Sequence, residues 1–200
     1  MEDDVKQLDL TRAQFYGLLA TLLIRPPPAD LLAVVAGLRA EPQTPLADAI
    51  GALATAAGST TPAMAEREYN RLFIGLERGE FVPYASHYLE GHLYGKPLIR
   101  FRQEMARLGL EREAPVREPE DHAGVMLAVM AELLEDAGRE GRDNAPAAVF
   151  RTHLQPWLPF FMRDIARAED AAFYPAVGAL GGAFLAIEAE ALSLPEEASP

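Results

Sequence analysis

The chain of 200 residues carries 30 acidic and 18 basic side chains, which gives a formal net charge of −12 at pH 7. Such a chain repels phosphates and anionic membrane surfaces, so nucleic acid and membrane partners are disfavoured and a basic partner is favoured. It contains no cysteine, which excludes disulfides, iron–sulfur ligation and a thiol nucleophile. The length predicts one domain, residues 1–200, that buries about 70% of the unfolded surface.

The first half of the chain is divided into helical segments by capping residues and prolines. Alanine and leucine dominate the composition, which favours helix over sheet. The four predicted helices of this half open at an aspartate or a Thr-Pro pair, at Asp9, Asp30, Thr44 and Thr61. The first ends before Pro26-Pro27-Pro28, and the last two end near Gly58 and Gly75.

In the second half of the chain, prolines and capping residues again separate the predicted helices. A fifth helix opens at Lys96-Pro97, a sixth follows Glu118-Pro119, and a seventh opens near Asn144. The chain then restarts after Pro156, and the last helix runs from about Ala171 to Leu192, before a loose acidic tail over 195–200. Strict alternation and tight hairpin signals are absent. We therefore predict an all-α, single-domain bundle of about nine helices with no sheet.

Two features bear on location. Residues Ala171–Ile187 are free of charged side chains and contain Gly178-x-x-x-Gly182, so either a short membrane span or a buried helix with a close neighbour fits. Pro175 and the many small residues favour the buried helix. The first four residues, Met1-Glu2-Asp3-Asp4, are acidic where a secretory signal is basic. We expect a cytoplasmic protein without stable membrane insertion.

The connection Leu76–Lys96 has no helical pattern and is rich in aromatic residues. A connection of that length is functional or acts as a hinge, which leaves a monomer and a domain-swapped homodimer both open. Its Gly91–Pro97 stretch resembles a phosphate loop but is one residue short and has proline where Ser or Thr binds magnesium. His87 and His92 with Glu90 match no metal spacing. We predict no metal site, no cofactor and no catalytic residue.

A proline and several carboxylates stand together in Glu118-Pro119-Glu120-Asp121-His122. They predict a helix start, with Pro119 at the first helical position and carboxylates in the first turn. Asp121 and His122 are then expected to form an outward-facing polar pair near the head of the helix. One interpretation is a capped helix and nothing more. The other is a recognition surface.

Three motifs in order resemble those of a known family. Glu68–Gly75 is similar to an E-Y-x-x-L-F-x-G helix end, Pro83–Tyr88 to a P-aromatic-x-S-x-Y loop, and Glu118–His122 to an E-P-x-D-H signature. Together they resemble the TorD/DmsD family of maturation chaperones for molybdenum-containing redox enzymes. This chain has Tyr69 and Tyr84 where some members have tryptophan.

The resemblance implies binding rather than catalysis. Members bind the twin-arginine signal peptide of an apo-enzyme, delay its export and assist cofactor insertion. By position in the motifs, the implied signal-peptide-binding residues are Tyr69, Leu72, Phe73, Pro83, Tyr84, Ser86, Tyr88, Glu118, Asp121 and His122. The implied partner is the signal peptide with the apo form of the catalytic subunit.

The residues read without the resemblance fit that role. A twin-arginine leader joins a basic front to an apolar run, so it needs carboxylates and an apolar surface. The segment between Glu111 and Asp143 contains ten carboxylates and only four arginines. Tyr69, Leu72 and Phe73 share one helix face, although such a stripe is also typical of a core.

Two other classes of function stay open on the sequence. One is a plain helical assembly subunit without a peptide groove. The other is a helical nucleotide-binding or hydrolytic enzyme, since weak guanine nucleotide binding has been suggested for some members of the family.

Overall fold

The computed structural model describes residues 2–41, 43–75, 79–111, 117–136 and 144–192. Within these ranges it contains ten α-helices and no strand beyond one isolated backbone bridge. The predicted all-α class is therefore confirmed. The predicted acidic tail over 195–200 lies outside the described residues.

The helices follow one another with short connections. In chain order they are α1 Glu2–Ile24, α2 Ala29–Ala36, α3 Pro45–Gly58, α4 Pro62–Tyr69, α5 Ala85–Glu90, α6 Lys96–Arg107, α7 Ala123–Glu135, α8 Ala145–Val149, α9 Leu158–Ala166 and α10 Tyr174–Ala191. Two π-helical turns, Asn70–Ile74 and Phe150–Leu154, continue α4 and α8 directly.

The Thr-Pro pairs behave as predicted. The Thr44 hydroxyl accepts a hydrogen bond from the N–H of Ala47 at 3.1 Å, and the Thr61 hydroxyl accepts one from Met64 at 3.3 Å. Each threonine thus caps a helix whose first residue is proline. The predicted openings at Asp9 and Asp30 are wrong, because α1 already begins at Glu2 and α2 at Ala29, so that both aspartates lie inside their helices.

The structure corrects two further boundaries. The helix predicted from Glu118-Pro119 begins only at Ala123, because residues 118–122 form a turn before it. The connection Leu76–Lys96, predicted to lack helical structure, contains the short helix α5. Its role as a hinge stays a prediction, and residues 76–78 lie outside the described part.

Two helices organise the core. α7 packs along α1, and α10 packs against α9 and α3. A Cβ atom added at Gly178 of α10 would lie 2.5 Å from the backbone nitrogen of Ala166, so α10 and its neighbour α9 touch at backbone distance. This agrees with the predicted buried helix with a close neighbour. In the part of the chain that the structure describes, none of the helices combines the length and the hydrophobicity that a membrane span requires.

A buried ion pair fastens α1 to α10. Glu188 of α10 is 1% exposed. Its carboxylate accepts hydrogen bonds from the Arg12 guanidinium at 2.8 and 2.9 Å and from the Tyr16 hydroxyl at 2.8 Å. Because the charges are paired and hydrogen-bonded, the buried carboxylate is tolerated, and its partners set the register of the two helices.

Candidate functional site

The second and third motifs meet through their backbones. Tyr84 and His122 form an antiparallel bridge. The N–H of Ala85 donates to the carbonyl of Asp121 at 2.9 Å, and the N–H of Ala123 donates to the carbonyl of Pro83 at 2.8 Å. Two loops more than thirty residues apart in sequence are therefore held side by side where α5 and α7 begin.

Asp121 is not the outward-facing carboxylate that the sequence predicted. Its side chain is 1% exposed. One carboxylate oxygen accepts hydrogen bonds from the N–H and the hydroxyl of Ser86, and that hydroxyl also accepts the N–H of Gly95 at 3.1 Å. The reason is the late start of α7, which leaves Asp121 in the turn and directs it at the first turn of α5.

His122 is also buried, at 2% exposure, so the outward pair is wrong for this residue too. Its Nδ1 accepts the N–H of Gly124 at 3.1 Å and caps α7. Burial lowers the pKa of His122 to about 4, against the opposing effect of the Glu118 charge. The ring is thus neutral at pH 7, and with Nδ1 as acceptor its proton lies on Nε2.

Tyr84 and Glu118 form the part of this cluster that reaches the surface. Both are half-buried, and the Tyr84 hydroxyl donates to a Glu118 carboxylate oxygen at 2.5 Å. Burial and this carboxylate raise the pKa of Tyr84 well above its usual range. The Tyr84 ring meets the His122 ring edge to face, with centroids 5.1 Å apart. The buried histidine thus supports the surface tyrosine.

The three predicted site residues of the first motif point into the core. Leu72 is fully buried, and Tyr69 and Phe73 are 7% and 9% exposed. The Tyr69 hydroxyl donates to the carbonyl of Ile24 at 2.8 Å, and the Phe73 ring packs against Tyr69 and Tyr174 with centroids 5.2 and 5.1 Å apart. Here the core interpretation of the stripe describes the geometry, and an open groove wall does not.

Tyr88 occupies a separate position. Its half-buried side chain donates to Asp164 of α9 at 3.1 Å, and its ring packs against Trp157 and Phe161. Of the ten predicted site residues, the structure therefore brings together Pro83, Tyr84, Ser86, Glu118, Asp121 and His122. Tyr69, Leu72 and Phe73 lie in the adjoining core, and Tyr88 lies against α9.

Sequence reasoning overlooked Glu68, the first residue of the first motif. Its carboxylate accepts backbone N–H groups of Ala172, Phe173 and Tyr174 at 2.8, 3.1 and 3.2 Å. These are the unsatisfied donors at the start of α10, whose own N-cap residue supplies no side-chain acceptor. The absence of a Ser, Thr, Asp or Asn cap before Tyr174 was the available signal that another element supplies it.

The residues of the rejected phosphate loop and metal site interact with one another in the structure. The N–H of Lys96, at the start of α6, donates to the Glu90 carboxylate at 3.0 Å. The same carboxylate lies 3.7 Å from His92 Nε2. Over the ranges that the structure describes, no group of three or more His, Asp or Glu residues could hold a metal ion.

The chain is similar in sequence to several known proteins. A family profile described as nitrate reductase delta subunit matches residues 39–163. The Tat proofreading chaperone DmsD of Salmonella typhi is 33% identical over 134 residues, which cover 66% of this chain and 64% of that protein. The chaperone protein TorD of Aeromonas salmonicida is 34% identical over 119 residues, 56% of each chain. Each match spans less than two thirds of the relative's length.

A solved structure shares the fold. It is a candidate redox enzyme maturation protein from Archaeoglobus fulgidus, with a TM-score of 0.57 and 22% identity over 88% of this chain and 93% of that one. The two curated relatives are named as chaperones and not as enzymes, in line with the prediction that the chain is not an enzyme. With a family profile that covers more than half of its residues, the chain belongs to the TorD/DmsD family.

Proposed function

We propose that the chain is a system-specific chaperone that binds the twin-arginine signal peptide and the apo form of a molybdenum-containing oxidoreductase. It would assist insertion of the cofactor and delay export of the client. The relatives named Tat proofreading chaperone DmsD and chaperone protein TorD support this. Such a protein would act in the cytoplasm as a monomer or homodimer, without nucleic acid partners or stable membrane insertion.

The exposure of the ten predicted residues divides their roles in this proposal. Tyr84, Tyr88 and Glu118 are half-buried and so have surface that a peptide can touch. The other seven are buried: Tyr69, Leu72, Phe73, Pro83, Ser86, Asp121 and His122. We assign direct contact to the first three, a positioning role to Pro83, Ser86, Asp121 and His122, and a role in the stability of the adjoining core to Tyr69, Leu72 and Phe73.

The observation that carries the proposal is the half-buried Tyr84–Glu118 pair. A guanidinium binds a carboxylate through paired hydrogen bonds and stacks on an aromatic ring, and this pair offers both groups side by side. Buried residues hold the pair in place, because His122 packs against Tyr84 and the neighbouring Asp121 is hydrogen-bonded to Ser86. A positioned acceptor loses less side-chain entropy on binding than a mobile one.

The test is titration of a twin-arginine leader peptide against the wild type and Glu118→Gln. Loss of a charge-assisted contact to arginine should weaken binding about 10-fold or more. Tyr84→Phe keeps the ring and should weaken it less, by about 2- to 5-fold. The matched control is Glu66→Gln, an exposed carboxylate on α4 that changes the net charge equally.

Wild-type affinity should also fall as salt rises, because the contact joins partly exposed charges. A wild-type protein that binds no twin-arginine leader would refute the proposal. Equal weakening by Glu118→Gln and Glu66→Gln would show that net charge alone attracts the peptide. Turnover of GTP without peptide binding would favour the enzyme alternative.

A further inference from the structure

A cleft with a volume of about 390 Å³ lies between α1 and α7 and shares no residue with the site described above. Its floor is apolar. Ala20 and Ile24 come from α1, Val125 and Val129 from α7, and Met105 from α6. A volume of this size is within the range of ligand-binding clefts, about 300–1,000 Å³.

Three exposed carboxylates, those of Glu111, Glu132 and Glu135, line the same cleft. No lysine, arginine or histidine is among the described residues that line it. Within the described ranges, none of the three is in an ion pair with a basic side chain. The cleft is therefore an apolar floor with a rim of one charge sign.

The rim is placed where negative charge is unfavourable for the helix itself. α7 is described along its whole length, and its exposed side chains there are Ala128, Glu132 and Glu135, all of which line the cleft. The last two stand in the final turn of α7, where the helix dipole disfavours anions. The carboxylates also repel one another. A bound cation would relieve both costs.

We propose that this cleft binds the segment of the client leader in which the two arginines precede the apolar run. The proposal rests on the function proposed above and extends it to a second surface. One guanidinium would pair with the rim carboxylates while the other contacts the Tyr84–Glu118 pair, and aliphatic side chains would cover the floor. Charge complementarity selects this occupant over a second copy of the chain, which carries a net charge of −12.

The charge on the rim is tested with the double variant Glu132→Gln/Glu135→Gln. Both residues are exposed, so the fold should tolerate the change. We expect leader binding to weaken about 10-fold. A leader with both arginines replaced by glutamine should bind the variant and the wild type equally, because the contact is already lost. The matched control, Glu41→Gln/Glu66→Gln, removes two exposed carboxylates outside the cleft.

The floor is tested separately with Ala128→Phe, which fills the cleft from its exposed edge. It should weaken leader binding at high salt as much as at low salt, because no charge is removed. Thermal melts of each variant with and without leader show whether folding or binding has changed.

The outcomes separate this inference from the proposed function. Failure of the wild type to bind any leader defeats both. Normal leader binding by the double variant, with weakened binding by Glu118→Gln, would overturn the cleft and leave the chaperone function standing. Equal weakening by the double variant and its control would overturn the cleft as well. The cleft proposal would also be overturned if the double variant changed its oligomeric state in sedimentation and kept its affinity for the leader. The cleft would then join two copies of the chain.

Discussion

One carboxylate oxygen of Asp121 accepts two hydrogen bonds from Ser86, from the backbone N–H at 3.0 Å and from the hydroxyl at 2.5 Å. The two residues lie 35 positions apart. This contact joins the start of α5 to the turn before α7. Ser86 and Asp121 thereby support from within the surface that Tyr84 and Glu118, residues of the same two motifs, form.

The first prediction concerns that contact. An exposed helix cap typically contributes about 1 kcal/mol, whereas a buried charged hydrogen bond contributes about 1.5–3 kcal/mol. Asp121→Asn should therefore lower the free energy of unfolding by about 2 kcal/mol in urea titrations. The double variant Asp121→Asn/Ser86→Ala should cost less than the sum of the single changes, because they remove one shared contact. Additive losses would contradict this pairing.

The second prediction is a pH dependence from His122. Its pKa is about 4 when folded, below the ordinary value of 6.5, so the unfolded chain binds the proton first as pH falls. The contribution to stability is complete above pH 6.5 and is lost progressively between pH 6.5 and pH 4. Its full size is on the order of 3 kcal/mol.

The test is to measure unfolding free energy against pH in the wild type and His122→Asn. Asparagine keeps an acceptor for the N–H of Gly124 and does not titrate. The variant should therefore show a shallower loss of stability between pH 6.5 and pH 4. Parallel curves for the two proteins would mean that the ring is not held neutral by burial.

The third prediction separates core from surface on the π-helical turn. Phe73 is 9% exposed and the neighbouring Ile74 is 54% exposed. Phe73→Ala should lower the free energy of unfolding by about 3–5 kcal/mol because it leaves a cavity among aromatic rings, while Ile74→Ala should change it by about 0.5 kcal/mol. Under conditions where both variants are folded, leader affinity should be nearly unchanged. Lost affinity with intact stability would instead place Phe73 in a groove.

The fourth prediction compares two glycines of α10. A Cβ at Gly178 would meet backbone atoms of Ala166 and Met162 at 2.5 and 2.7 Å, whereas one at Gly182 would meet nothing within 4 Å. Gly178→Ala should lower the melting temperature because it forces α9 and α10 apart, at a cost of about 1–3 kcal/mol. Gly182→Ala should raise it by stiffening the helix, by up to about 1 kcal/mol. Similar effects at both positions would contradict the packing.

Much of the fold could be predicted because its signals are local. Thr44 and Thr61 hydrogen-bond to N–H groups three residues on, so their caps depend on neighbours in the chain. The start of α7 could not be predicted in the same way. Pro119 and the carboxylates around it have the composition of a helix start, but the turn they form is held by bonds to residues 83–86.

The candidate site shows the same division. The motifs identified Tyr84, Glu118, Asp121 and His122 as a group, and the structure places them together. Their exposure was beyond sequence reasoning, since a carboxylate such as Asp121 is ordinarily on the surface. Burial is possible here because Ser86, in the first turn of α5, supplies two donors for the carboxylate.

By itself the sequence determined the helical class, the caps at Thr44 and Thr61, the excess of negative charge and the family of the chain. The class, the caps and the charge follow from propensity, local hydrogen bonding and composition, none of which depends on how distant segments pack, whereas the family follows from the resemblance of the three motifs. The tertiary structure alone decided that Asp121 and His122 support the surface from within while Tyr84 and Glu118 reach it. It also decided that the rim of Glu132 and Glu135 borders an apolar cleft. Exposure and concavity depend on which segments meet, and that is a property of long-range packing.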